Sequence, residues 1–259
     1  MIRTAGTNCD EELIRAFDLA GAAADPVHLE RVIADPGVLE SADLIGFPGG
    51  FSYGDDIASG RVFAAKVRAS LYPALRGAVD RGACIIGVCN GFQVLVQAGL
   101  LPGPDAGEAW PETPAEPVVT LTENESARFI DRWIGVEVDE ASPCVWTRGL
   151  GGSGDGMVLP IAHAEGRFVA PNGLAVQLAS TGRVALRYRE NVNGSEGAIA
   201  GICDTSGRVF GLMPHPERYL SWDRHPISTR LESEAITGVT PGLRMFQNAV
   251  EAVSGVASA

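Results

Sequence analysis

Apolar and polar positions follow two periods in the first half of the chain. Between Asp10 and Ala24, Leu13, Ile14, Phe17 and Ala20 recur at helical spacing, and Asp10, Glu11 and Glu12 suit the positive end of a helix. Asp43 to Phe47 predicts a short strand stopped by Pro48-Gly49-Gly50. Arg61 to Arg81 predicts a helical hairpin or an interrupted helix, broken at Pro73. Cys84-Ile85-Ile86-Gly87-Val88 is a nearly unbroken apolar run, as expected of a parallel strand covered on both faces. Phe92 to Leu101 returns to the helical period. Strands alternating with helices predict βαβ units and a parallel sheet.

The texture changes after residues 102–117, where five prolines and four acidic residues predict an exposed loop. Beyond it, strand patterns cover Val118 to Thr122, Trp133 to Val138, Met157 to Ile161, Ala175 to Leu178, Val184 to Tyr188 and Ala198 to Ile202. Val209 to Met213 follows a Ser206-Gly207 turn as a further strand, and Pro241 to Val253 closes the chain as a helix begun by proline. No internal repeat is visible, and low complexity is confined to the proline-acid loop and the small-residue tail Ser254 to Ala259. The expectation is an α/β fold in one domain over residues 1–259: a mostly parallel sheet flanked by helices, with an added antiparallel strand region. Only Ile2 to Ala5 precede the first turn, so the opening strand is either a stub or is missing part of its length.

Composition narrows the classes of function. Of 259 residues, 46% are hydrophobic and 20% charged, ordinary for a globular chain, and the net charge is -12. Such a balance gives no general basic field for nucleic acid or an anionic membrane. The N-terminus lacks the apolar core of a signal peptide, and no stretch approaches the roughly 18 apolar residues of a membrane helix. Five cysteines, at 9, 84, 89, 144 and 203, are scattered without a Cys-x-x-Cys pair. That argues against a disulfide framework or a structural zinc site, and for a reducing cytoplasm with no bound metal.

One cysteine stands apart. Gly87-Val88-Cys89-Asn90-Gly91 follows a strand and opens a helix, the setting of a nucleophile elbow with cysteine in place of serine. Glycines on either side allow a tight turn, the positive end of the helix favours a thiolate, and the N–H of Asn90 is placed to bind an oxyanion. The bland alternative is a buried cysteine acting as a small hydrophobe, and that is the expectation for Cys9, Cys84, Cys144 and Cys203. A thiol nucleophile needs a base. Of the four histidines (28, 163, 215 and 225), His215 stands in Met213-Pro214-His215-Pro216-Glu217-Arg218, with a carboxylate two residues away to orient its ring. Alone, that hexapeptide reads more readily as a surface turn than as a catalytic motif, and the elbow is what makes it strong. His28, in a linker without clear pattern, is the poorest base.

Together these segments resemble the class I, or triad, glutamine amidotransferases, and within them the glutaminase subunits of phosphoribosylformylglycinamidine synthases. The likeness is carried by Gly6-Thr7-Asn8-Cys9-Asp10, Pro48-Gly49-Gly50-Phe51-Ser52-Tyr53-Gly54-Asp55, the elbow with Phe92-Gln93, Gly99-Leu100-Leu101-Pro102-Gly103 and Met213 to Arg218, in order along nearly the whole chain. It implies a flavodoxin-like fold, with Cys89 as nucleophile, His215 as base and acid, and Glu217 as orienting carboxylate. It further implies Gly50 and Asn90 as the oxyanion hole, and Gln93, His163 and Glu165 as contacts to L-glutamine. The residues 221–238 form a longer segment than the likeness leads one to expect. The resemblance implies ammonia delivery to a separate synthetase subunit, with a small accessory subunit in the same complex. ATP and magnesium are expected in the synthetase, since no phosphate-binding Gly-x-x-x-x-Gly-Lys occurs here and no cofactor is expected in this chain. Another amidotransferase glutaminase, a γ-glutamyl hydrolase and a silent binding module are the alternatives.

Overall fold

The computed structural model describes residues 1–55, 58–151, 157–231 and 238–255. In chain order the elements are β1 (Ile2–Arg3), α1 (Asp10–Leu19), β2 (Val27–His28), α2 (Leu29–Ala34), β3 (Leu44–Phe47), α3 (Arg61–Ser70), α4 (Tyr72–Asp80), β4 (Cys84–Val88) and α5 (Asn90–Gln97). They continue as β5 (Thr120–Thr122), β6 (Ile130–Val138), β7 (Val158–His163), β8 (Arg167–Val169), α6 (Leu174–Ser180), β9 (Val184–Tyr188), β10 (Ile199–Cys203), β11 (Val209–Leu212) and α7 (Pro241–Ser254). A seven-stranded sheet in the order β3-β4-β11-β10-β9-β6-β7 forms the centre.

This is the expected α/β architecture with parallel and antiparallel parts, and the two parts share one mixed sheet. β3, β4 and β11 pair in parallel. From β11 onward, β10, β9, β6 and β7 pair antiparallel. The switch at β10–β11 follows from connection length. Asp204 to Arg208 is too short for a crossover, so the strands must return as a hairpin. Asp204 stabilises that turn, its Oδ1 accepting from the Val209 N–H (3.0 Å) and its Oδ2 from the Ser206 hydroxyl (2.6 Å). The antiparallel part is larger than an appendage to a parallel core.

β4 matches its predicted bounds and is buried along its whole length. Helix α5 lies against β3, β4 and β11, while α1 and α7 cover the other face through Phe17, Trp146 and Phe246, whose rings meet edge to face. The predicted interrupted helix is α3 and α4, parted at Leu71 with Pro73 in the first turn of α4. β1 is a two-residue strand pairing in parallel with β2. Residues 256–259 of the predicted tail and 232–237 of the long segment lie outside the described residues.

One element differs in kind. Ala175 to Leu178, expected as a strand, lies within helix α6. Four residues, three of them apolar, cannot distinguish the two periods, and tertiary packing decides. Gly173, at φ +78°, starts the helix in a left-handed conformation, Leu178 turns inward, and Val176 is left 74% exposed. Helix α1 ends at Leu19 rather than Ala24, and Gly21 turns left-handed at φ +94°. His28 is not in an unstructured linker, because its Nδ1 caps α2 by accepting from the Glu30 N–H at 3.3 Å.

The start of α5 is pressed against the sheet backbone. A Cβ at Gly91 would stand 2.0 Å from the Phe47 carbonyl oxygen, and one at Gly87 2.5 Å from the Gly91 carbonyl. Helix propensity favours Gly91→Ala by about 1 kcal/mol, whereas the clash with fixed backbone opposes it. We expect the clash to win, with a net loss of at least ~2 kcal/mol. Urea denaturation of the two proteins measures it, and a variant as stable as wild type would contradict this packing.

Candidate active site

Where β4 ends, the chain turns sharply into α5, and Cys89 occupies the turn at φ 52° and ψ -107°. A positive φ is costly for a residue with a Cβ, on the order of 1–3 kcal/mol. Three backbone hydrogen bonds hold it: the Cys89 N–H donates to the Leu212 carbonyl of β11 (2.8 Å), and its own carbonyl accepts from Phe92 (3.0 Å) and Gln93 (3.2 Å). The residue is 7% exposed, and its Sγ lies 3.8 Å from the Ala162 carbonyl. Asn90 is the first residue of α5, a position that has no intrahelical acceptor for its N–H.

His215 follows β11, anchored by its N–H to the Pro160 carbonyl at 2.8 Å. Its Nδ1 donates to Glu217 Oε1 at 2.6 Å, with the two residues 1% and 2% exposed. That bond directs Nε2 the other way, where it is buried without a formed hydrogen bond. Burial disfavours the imidazolium, but the Glu217 carboxylate, then Cys89 and Cys9, outweigh it and hold His215 well above the ordinary imidazole range. Gly49 is the common neighbour. A Cβ there would lie 2.9 Å from His215 Cε1, 3.3 Å from Cys9 Sγ and 3.4 Å from Cys89 Cβ. Only a hydrogen fits at that point.

These groups open onto a cleft of about 420 Å³, which Gly50, Gln93, His163 and Glu165 also line. Gly50 adopts φ +130° and forms an isolated antiparallel bridge with Thr7, beside which the Phe51 N–H donates to Gly6 (3.0 Å) and the Cys9 N–H to Gly49 (3.4 Å). Among the described residues, the Gly50 N–H makes no hydrogen bond. Gln93 Nε2 donates to the Glu165 carbonyl at 2.5 Å, and its Oε1 accepts from Asn90 Nδ2 at 3.1 Å. The Glu165 carboxylate accepts from the Ser59 N–H at 3.3 Å. All the predicted site residues therefore meet in one place, with Glu217 behind His215.

His163 is held by a residue the sequence did not single out. Asn124 Nδ2 donates to the carbonyls of Arg128 (2.9 Å) and His163 (2.8 Å), so its Oδ1 is the acceptor for the Gly166 N–H (3.2 Å) and for His163 Nδ1 (3.0 Å). This assigns the ring proton to Nδ1 and leaves Nε2 as a buried acceptor with no partner among the described residues. Burial, then the charge of His215, hold the His163 pKa down to about 4.

Two further residues were missed. Asp55 accepts from Ser59, Gly60 and Asn90, and burial pushes its carboxyl up against the pull of those bonds. Cys9, expected to be purely structural, has its sulfur in the site, where it accepts from Arg218 Nη2 at 3.0 Å. The signal was the Gly-Thr-Asn-Cys segment, which lies beside Gly50. Cys84 receives a hydrogen bond from Arg208 (3.4 Å), and Cys203 lies 3.6 Å from the Ser142 hydroxyl, both away from the cleft as expected.

Comparison with known proteins agrees with this geometry. Residues 1–253 match the model of the CobB/CobQ-like glutamine amidotransferase domain. The phosphoribosylformylglycinamidine synthase subunit PurQ of Dehalococcoides mccartyi is 40% identical over 259 residues, covering 97% of this chain and 95% of the relative. The corresponding PurQ subunit of Methanococcus maripaludis is 37% identical, covering 95% and 93%. Among solved structures, PurLQS from Thermotoga maritima aligns with a TM-score of 0.67 at 31% identity, covering 96% of this chain and 95% of the matched chain.

The low proton affinity of His163 has a consequence for stability. Above about pH 6.5 the ring is neutral in both folded and unfolded chains, so it contributes no pH dependence. As pH falls from about 6.5 towards 4, the unfolded chain binds a proton that the folded one refuses, and stability drops. Below 4 the penalty is constant, at about 3 kcal/mol. Urea unfolding at pH 7 and pH 4.5 should show His163→Gln losing about 2 kcal/mol less than wild type. Equal losses would contradict a buried neutral ring.

Proposed function

Because the chain belongs to the CobB/CobQ-like glutamine amidotransferase domain family, we propose that it is the glutaminase component of a phosphoribosylformylglycinamidine synthase. The observation that carries this reading is the meeting of Cys89 and His215 around Gly49, with Glu217 holding the far side of the imidazole. In the reaction, the Cys89 thiolate attacks the carboxamide carbon of L-glutamine. The N–H groups of Gly50 and Asn90 stabilise the oxyanion, each by roughly 3 to 4 kcal/mol when well placed. His215, disposed by Glu217 to carry a proton, gives it to the departing ammonia. The neutral ring then activates water, which hydrolyses the γ-glutamyl thioester and frees glutamate. Gln93, Glu165 and Nε2 of His163 line the cleft as polar contacts for the rest of the substrate.

The triad alone would serve a γ-glutamyl hydrolase equally well. The purine assignment is supported by the names of relatives at 37 to 40% identity over almost the whole chain. On this reading, ammonia passes to a synthetase subunit, which spends ATP with magnesium to convert formylglycinamide ribonucleotide to its amidine. This chain itself needs no cofactor. An assembly of that kind, with a small accessory subunit, is supported by the likeness to a chain of PurLQS. A cytoplasmic site of action is supported by five cysteines present as free thiols. Among the described residues, no helix is long and apolar enough to cross a membrane.

The test is reconstitution with the synthetase partner. Cys89→Ser should abolish amidation driven by glutamine while leaving amidation driven by ammonium salts intact. Glu217→Ala should lower the glutamine-dependent kcat by about 10²- to 10⁴-fold. Loss of both activities in Cys89→Ser, or amidation by the isolated chain with glutamine and ATP, would overturn the assignment.

A further inference from the structure

Cys9 is remote from the elbow and from His215 in sequence, yet it comes to the heart of the site. Its sulfur can be placed from three directions. It accepts from Arg218 Nη2 at 3.0 Å and lies 3.3 Å from Asn8 Oδ1. It stands 3.3 Å from the point at which a Gly49 side chain would also meet His215 Cε1. It further belongs to a buried group, with His215 and Glu217, in which the sulfur, one ring nitrogen and one carboxylate oxygen lie within 4.8 Å of one another. The backbone fixes this position, since the Cys9 carbonyl accepts from the Leu13 N–H at 3.1 Å in the first turn of α1.

The imidazole needs a second restraint. Glu217 holds Nδ1, but a ring tied at one nitrogen can still tilt about that bond, and Nε2 has no formed hydrogen bond to stop it. The Cε1 edge of the ring faces Gly49, which offers no side chain, and the same point is bordered by Cys9 Sγ and Cys89 Cβ. Cys89 must be free to react. Cys9 need not be, and Arg218 pins it.

We propose that Cys9 is a positioning residue, which holds the His215 ring between Glu217 and Cys89 and, with Arg218 engaged on its sulfur, helps set how strongly that ring keeps its proton. The groups facing His215 are Glu217 on its own turn, Cys89 at the elbow, Cys9 at the start of α1 and His163 on β7. Arg218 acts from behind Cys9 and is itself 3.5 Å from Glu12. Removing the sulfur takes away a polar neighbour that favours the imidazolium and leaves the guanidinium without its acceptor. Both changes lower the proton affinity of His215.

This inference rests on the glutaminase reading, and its test separates the two. Glutamine hydrolysis is measured across pH in the reconstituted complex for wild type, Cys9→Ala, Cys9→Ser and Cys9→Val, with Cys89→Ser as the control. Cys9→Ala should lower kcat on the order of 10- to 100-fold with KM nearly unchanged, and move the His215 limb of the kcat profile to lower pH. Cys9→Ser, which can still accept from Arg218, should recover most of the rate and return the limb. Cys9→Val, which restores volume alone, should not. Recovery by valine and not by serine, or a profile that no variant moves, would overturn the proposal in favour of simple packing. Should Cys9→Ala prove too unstable to assay, the serine and valine variants decide by the same criterion. An active Cys89→Ser would sink the glutaminase reading instead.

Discussion

Strands β4 and β11 run parallel in a register that pairs Val88 with Leu212. One residue beyond Val88 is Cys89, and three beyond Leu212 is His215. The proposed nucleophile and base thus leave adjacent strands at the same end of the sheet. The hydrogen bond from Cys89 to the Leu212 carbonyl extends this pairing by one step and holds the strained turn against relaxation. A slip of one residue would reverse which side chains face α5 and carry the two groups apart. The open ends of parallel strands are where this kind of fold gathers chemistry, and only the parallel part of this sheet carries the triad candidates.

The antiparallel part contributes in another way. β7 supplies His163, Ala162 and the Pro160 carbonyl that anchors His215, so it forms the wall opposite α5. Two imidazoles are therefore buried in one cleft, and their surroundings push them in opposite directions. Glu217 gives His215 a charged partner, which raises the ring's proton affinity in spite of burial. Asn124 gives His163 only a neutral one, so burial and repulsion from His215 keep it neutral. One cation is stable in that space and two are not. In the proposed reaction this divides the labour: His215 would move protons, and His163 would accept a hydrogen bond at Nε2.

How much of this could be read from sequence depended on how local the determinant was. β4, the elbow and His215-Pro216-Glu217 rest on contiguous residues whose spacing states their geometry, and all lie where expected. Ala175 to Leu178 gave no such statement. Its four residues were too few to show a period, and the choice of helix was made by the turn at Gly173 and by the packing of Leu178. The extent of the antiparallel sheet was likewise a matter of connection length and pairing partners, to which strand composition is blind. Asn124 had no local sign, because its role lies in contacts with residues far along the chain. Cys9 had one, in the Gly-Thr-Asn-Cys-Asp segment that carries the family likeness, but a lone cysteine opening a helix reads first as core.

Glycines explain why so many groups fit around one reacting atom. Gly91 lets α5 lie against the Phe47 carbonyl, which brings the helix's positive end up to Cys89. Gly49 leaves a gap narrow enough for His215 and two thiols to share. Gly50 adopts a φ that side chains rarely tolerate, within 3.0 Å of Asn8 and Gly6 atoms at its would-be Cβ, and its N–H makes no hydrogen bond among the described residues. Each of these positions trades conformational freedom in the unfolded chain for a close approach in the folded one. The site is accordingly rigid where the oxyanion and the imidazole must be fixed. Gln93 and Glu165 line the same cleft, tied to each other, to Asn90 and to Ser59 by hydrogen bonds. On the proposed chemistry, such preorganisation is what lets a site bind a transition state more tightly than its substrate.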